Sequence, residues 1–419
     1  MNDATMLRTG EVRPHGAAAS PALVAPVFFS LALLMATACA TVPATIVLRT
    51  TTPPTSTAAV STLSELVRAH NAGGGAEIRR VLVERWRDRG AVDHQGAVVV
   101  GPVDGRVPLA LIARLSDLPA CHGRGAGVVI EDPPRVVGCG AQDLSALAAF
   151  VLAAEAVAGV VLVVADDDDA IARVLPRAVR AWTGGGVMLQ GSDVDVFEIE
   201  AVDAGGVVVE LRRPDGDPSA LIVASGRAAA WTSTPMLPLV LGDRLARLPQ
   251  PWWSMQDTLQ RLLATSTTAD MVRERCRVVE VSTASTRLWC SVLPGHSVDD
   301  VIDAVVLAVD DDDTVVAVQQ RRTPTATGFA DLMVRVLEAR VQAESPRAVT
   351  VPALRTTMAA SACDAWRRRG TPCVGGVPLL VHPVERQRAG ADDEAVGVDG
   401  LTAMTSRVVD AVDTIVGAP

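Results

Sequence analysis

The chain of 419 residues contains no lysine and no tyrosine, and its only asparagines are Asn2 and Asn71. All 38 basic side chains are therefore arginines, a bias that GC-rich codon usage produces without selection on function. Catalytic lysines and tyrosines are thereby excluded. With 48 acidic residues the formal net charge is −10, which argues against a nucleic-acid binder with a basic face. No C-x-x-C pair or Cys/His ligand spacing is present, which argues against a structural zinc site. Nor is there a G-x-S-x-G elbow or a Cys/His arrangement that would point to a serine or cysteine nucleophile.

What is present is a globular composition, 49% hydrophobic and 21% charged, on a chain long enough for two or three domains. After Arg8 and Arg13 no charged residue occurs before Arg49, and "ALVAPVFFSLALLMATACA" at 22–40 fills that gap. A basic flank, an apolar run of about the ~20 residues that span a bilayer and a small-residue ending read as an export signal or membrane anchor over 1–50. Cys39 is a candidate for lipid attachment. A Thr/Pro-rich linker follows over 51–62. The remaining six cysteines fall as near neighbours: Cys121 with Cys139, Cys276 with Cys290, and Cys363 with Cys373. In an oxidising compartment these are candidate disulfides, the middle one bridging two strands around a turn near Thr283.

Along the chain, "STLSELVRAH" and "GAEIRRVLVERWRDRG" have helical periodicity on either side of "NAGGG". "GAVVVGPV" and "PLALIARL" read as strands, "DLSALAAFVLAAEAV" as a helix and "GVVLVVA" as a wholly apolar strand, the pattern of a sheet covered on both faces. From about 206 the texture changes. "GGVVVELRR" and "SALIVAS" read as strands, followed by a helix at 255–264, the cysteine-bounded hairpin and the helix "SVDDVIDAVVLAV". After about 325 come the helices "GFADLMVRVLEARVQAE" and "SACDAWRRRG", the strand "TPCVGG" and a final helix "GLTAMTSRVVDAVDTIV". The expected architecture is α/β: a mixed sheet covered by helices over 63–205 and 325–419, interrupted by a smaller α+β domain over 206–324.

These landmarks, in this order, resemble the M20 family of zinc metallopeptidases and amidohydrolases, which includes carboxypeptidases and aminoacylases. The resemblance covers roughly residues 60–419. It is carried by "LWCSVLPGHSVDDV", "WRRRGTPCVGGVP" and "DDEAVGVDGL". It implies a two-zinc catalytic domain, an inserted lid that often makes a homodimer, and a peptide or acylated amino acid as substrate.

The resemblance also implies ligand positions, and this chain departs from most of them. "LIARLSDLP" matches a segment like "LIAHLDxxP", placing Arg114 at the first zinc-binding histidine and Ser116 at the aspartate that orients it. Arginine has no lone pair to give a metal and stays charged. "GCGAQD" keeps the bridging aspartate as Asp143. "VVADDDDA" matches "ADEE", so Asp167 stands at the general base and Asp168 at a zinc ligand. Each is one methylene short, which would set the base about 1.5 Å farther back from its water. The next carboxylate ligand falls on "VMLQGSD" at Gln190 and Gly191, with Asp193 the nearby acid. The last histidine ligand lands on Gly390, with His382 the nearby substitute. The lid histidine falls near Trp231, and "AASACD" replaces a substrate-contacting stretch. The acidic run at 310–313 reads as a solvated turn.

Three readings follow. One is an exported, metal-deficient pseudoenzyme that acts by binding, with Arg114 paired to Asp143 or Asp168 as the cation in place of zinc. The second is an active hydrolase with a mononuclear zinc on Asp143, Asp168 and His382 and Asp167 as base. The third is a structural component of the cell envelope.

Overall fold

The structure, a computed structural model, describes residues 52–102, 105–115, 121, 123, 128–131, 133–174, 177–184, 188–190, 195–235, 271–356, 361–386 and 388–418. The apolar segment 22–40 with Cys39, and the expected helix at 255–264, lie outside these residues. Among the described residues no helix is long and apolar enough to cross a membrane.

The central strands are those with the longest apolar runs. β3 (Arg106–Arg114) and β6 (Val160–Ala165) lie parallel, with β6 buried at every position. β7 (Arg177–Thr183) continues the parallel set beyond β3. On one side of this trio, β2 (Ala97–Val100) runs antiparallel to β6 and carries β1 (Val92–Asp93) at the edge. On the other, β16 (Cys373–Gly375) leads to β9 (Asp195–Asp203), then to β8 (Met188–Leu189) and β17 (Leu380–Val381). β14 (Thr325–Ala326) and β15 (Ala348–Arg355) also pair with β9, giving eleven strands in a mixed sheet.

Alternate side chains of β3 serve two helical layers. Ala110 and Ile112 join a core with α3 (Asp168–Val174) and α7 (Ala362–Arg368), including Ile171, Cys363 and Trp366. The opposite face lies under α2 (Ala141–Ala156), where Phe150 meets Trp182 of β7 edge to face at 5.4 Å. α2 packs in turn against α1 (Ser56–Arg85) and the terminal α9 (Val398–Val416). A small third sheet joins β4 (Val128–Glu131), β5 (Pro134–Val137) and β18 (Ala395–Gly397). The stretch expected as a linker over 51–62 turns helical at Ser56, where the Thr55 hydroxyl caps the Ala58 amide at 3.2 Å. The two helices expected around "NAGGG" form one element, bent where Gly73 and Gly74 leave helical dihedrals.

Directly after β9, β10 (Gly205–Arg212) enters a second, four-stranded antiparallel sheet. Its order is β11 (Cys276–Val281), β12 (Ser285–Val292), β10 and β13 (Val315–Arg322). One face is covered by α4 (Pro218–Ala230) and α5 (Val298–Val309), which bury Leu221, Ala224, Val301, Ile302 and Val305 against Val207, Val209 and Leu288. "SALIVAS", expected as a strand, lies within α4. Asp217 caps the amide of Ser219 at 2.8 Å, Pro218 occupies the first turn, and Leu221, Ala224, Ser225 and Ala228 give a helical buried stripe. In the 310–313 run, Asp310 closes α5 in the left-handed region and Asp311 accepts from the half-buried Arg213 at 2.6 Å, so this turn is held by an ion pair.

All three expected disulfides form: Cys121–Cys139, Cys276–Cys290 and Cys363–Cys373. Cys276 and Cys290 are register partners across β11 and β12. Replacing both with alanine removes a constraint on the unfolded chain and should lower stability by about 3 kcal/mol in denaturant unfolding. An unchanged midpoint and slope would contradict a stabilising bridge.

Candidate functional site

In a sheet of this kind the C-terminal ends of parallel strands, and the helix N-termini beside them, are where ligands gather. Arg114 ends β3, half-buried and in register with Ala165, the last residue of β6. Four aspartates, Asp166 to Asp169, follow β6, and the first two have structural partners. Asp166 forms an ion pair with Arg79 of α1, which also reaches Asp93 at 3.0 Å; its amide donates to the Gly96 carbonyl at 2.8 Å. Burial pushes the Asp166 carboxyl above its usual range, against the pull of Arg79. Asp167, the expected general base, accepts from the Ala170 amide at 2.8 Å and caps α3. Asp168 is the first residue of that helix.

Asp143 lies in the first turn of α2. The arginine that meets it is Arg386, at 3.3 Å. Arg386 ends α8 (Pro383–Arg386), and the same guanidinium nitrogen reaches the Gln142 Oε1 at 3.4 Å. Gln142 returns a bond from its Nε2 to the Glu385 carbonyl at 2.9 Å. The firmest link in this region is Glu394, fully buried at the end of the following loop. Its carboxylate accepts from the backbone amides of Gly140 (3.1 Å), Gln142 and Gly390, filling the N-terminus of α2 with negative charge. Burial raises its pKa from the ordinary value, opposed by those three donors.

The other expected positions are otherwise engaged. His382 is exposed, and its Nδ1 accepts from the Val384 amide at 3.2 Å, closing the turn that starts α8. Gln190 is exposed, and its amide extends the ladder to the Val381 carbonyl at 3.0 Å. Gly390 has φ of 82°, a conformation unfavourable to a histidine side chain. Trp231 caps α4 and packs, partly buried, against the core of the four-stranded sheet. In the stretch "AASACD", Ser361 donates to Asp203, and Asp364 accepts from Thr325 at 2.8 Å. Ser116, Asp117, Gly191 and Asp193 lie outside the described residues.

Arg386 and the Gln142 bridge escaped the sequence reading. The pair joins residues 243 positions apart, and no local pattern in "HPVERQRAG" signals a partner at that distance. Glu394 was visible as part of "DDEAVGVDGL" but not as a helix cap.

Among the described residues no group of three or more His, Cys, Asp or Glu side chains is placed to hold a metal. The donors retained fit a two-zinc centre poorly, since Asp143 faces a guanidinium and Asp167 faces a backbone amide.

No family model and no curated protein matches this chain in sequence. Solved structures match it in shape. An M20 family metallo-carboxypeptidase from Sulfolobus solfataricus aligns over 85% of this chain and 98% of its own, with a TM-score of 0.54 at 11% identity. Human carnosine dipeptidase 1 aligns over 88% and 100%, with a TM-score of 0.53 at 12% identity. Aminopeptidase PepT from Bacillus cereus aligns over 87% and 99%, with a TM-score of 0.53 at 14% identity. The chain therefore carries the fold of the M20 metallopeptidases.

Glu394→Ala removes the acceptor of the Gly140, Gln142 and Gly390 amides, so stability should fall by about 3 kcal/mol. Denaturant unfolding that leaves stability unchanged would remove Glu394 as the link between this loop and α2.

Proposed function

We propose that this is an exported or membrane-anchored protein of M20 fold that acts by binding instead of by metal-assisted hydrolysis. The observation that carries the reading is the engagement of the positions a two-zinc centre would need. Arg114 stands at the end of β3, Asp143 is bound to Arg386, and Asp167 caps a helix. A guanidinium repels a dication and cannot ligate it. Arg114 and Asp168 remain as a candidate ion pair at the strand ends. The ligand class is a peptide or an acylated amino acid, by analogy with the dipeptidase and carboxypeptidase of the same fold. Three disulfides suit an oxidising compartment, and the apolar segment at 22–40 behind Arg8 and Arg13 suits export.

Elemental analysis after dialysis against excess zinc tests this. The purified chain should hold well under one zinc per molecule. Two would overturn the proposal. One would favour the mononuclear reading with Asp143, Asp168 and His382 around the metal and Asp167 as base, and hydrolysis of acylated amino acids and dipeptides should then be measurable.

The inserted four-stranded unit is the lid of this fold, and we assign it the homodimer contact. Among the described residues β11 pairs along its length with β12 alone, and it exposes Val278, Val279 and Val281, the last at 66%. A strand edge with apolar side chains is a template for a second strand. Light scattering should give twice the chain mass, and Val279→Lys with Val281→Lys should give the monomer. A monomeric wild-type protein would exclude the contact.

A further inference from the structure

Among the described residues the two sheets are joined covalently at two places, Asp203–Gly205 on the way out and Arg322–Thr325 on the way back. An inserted unit that swings must do so at such crossings, by changing a few backbone dihedrals. Here the crossings are packed against each other. Thr325 is the register partner of Asp203 in the large sheet, and Arg322 is that of Gly206 in the small one. The outgoing and returning strands thus form one antiparallel ribbon through both sheets. At Gly205 an added Cβ would lie 2.3 Å from the Arg322 carbonyl oxygen and 2.7 Å from Pro324 Cδ, so the crossing requires glycine and leaves no gap.

α7 fastens this ribbon to the large sheet. The Arg367 side chain is 3% exposed, and its guanidinium touches both crossing strands and a third element. It donates to Asp203 Oδ2 at 2.6 Å and the Glu200 carbonyl at 2.8 Å on the outgoing strand. It reaches Thr327 Oγ1 at 3.2 Å on the returning segment and the Cys373 carbonyl of β16 at 2.8 Å. The next residue, Arg368, donates to the Thr323 carbonyl at 2.9 Å, and Asp364, about one turn earlier, accepts from Thr325 at 2.8 Å. The disulfide Cys363–Cys373 ties α7 to β16, which lies between β7 and β9.

We infer that α7 is a rivet that removes the pivot between the two sheets, so that the four-stranded unit keeps one orientation whether or not a ligand is bound. A swing would break the Arg368 bond to the Thr323 carbonyl and strain the ribbon ladder, whose large-sheet end Arg367 anchors. The Ala204 amide, bonded to the Arg355 carbonyl at 2.8 Å, would then open to solvent. The inference concerns the junction alone and holds whether or not the chain binds zinc.

Hydrogen–deuterium exchange on the full chain tests it through peptides covering 201–208 and 320–328. In the wild type these should exchange as slowly as β3 and β6. Arg367→Met should accelerate them about tenfold or more while β3 and β6 stay slow. If Arg367→Met fails to fold, Arg368→Met and the paired change Asp203→Asn with Arg367→Met supply the same comparison, with Arg369→Met as the control. Crossing peptides that exchange rapidly in the wild type, or variants that exchange as the wild type does, would overturn the rivet.

Discussion

The guanidinium–carboxylate contact is the interaction on which this structure depends. With arginine as its only cationic side chain besides histidine, the chain uses the planar fork wherever two elements must be held across a gap. Arg79 joins α1 to the β1–β2 turn and to the end of β6. Arg340 of α6 (Leu332–Glu344) lies 3.5 Å from Asp410 of α9, both nearly buried. Arg213 holds the turn after α5, Arg367 holds the crossing between the sheets, and Arg386 meets α2. The contacts differ in strength. Arg386 and Asp143 are each about a third exposed, so their attraction is screened by water and contributes little to stability. The Arg367 and Asp203 side chains are buried and bonded to several elements, and losing either would strand the other charge in the interior.

At the strand ends the acidic residues hold helices to the sheet. A carboxylate beside a helix N-terminus has two uses, as a ligand to something outside or as a cap for the helix itself. Here Asp167 and Glu394 are caps. A capping carboxylate is oriented by backbone amides, and turning it outward would leave those amides unsatisfied. The same groups that keep α2 and α3 in register with the sheet are thus drawn away from the space above it.

Much of the architecture was legible from the residues. β6, α2, α5 and α9 follow from apolar runs and helical stripes, and the cysteine pairs follow from their spacing once an oxidising compartment is assumed. "SALIVAS" misled because a short apolar run satisfies both periodicities; the deciding signal was Asp217–Pro218, a cap and a first-turn proline just ahead of it. At the site, the family resemblance implied roles for Arg114, Asp143, Asp167 and Gly390. Their partners were not, because Arg386 with Asp143, and Glu394 with Gly140, are contacts between distant segments that local sequence does not encode.

The return of the chain beside its point of departure bears on how such a protein could have been assembled. Asp203 and Thr325 are register partners on neighbouring strands, so the large sheet meets the intervening segment as it would meet the loop of a hairpin. The entropy of closing a loop grows only slowly with its length. A unit placed between two such residues could be lengthened, exchanged or shortened in the course of descent with little consequence for the strands that frame it.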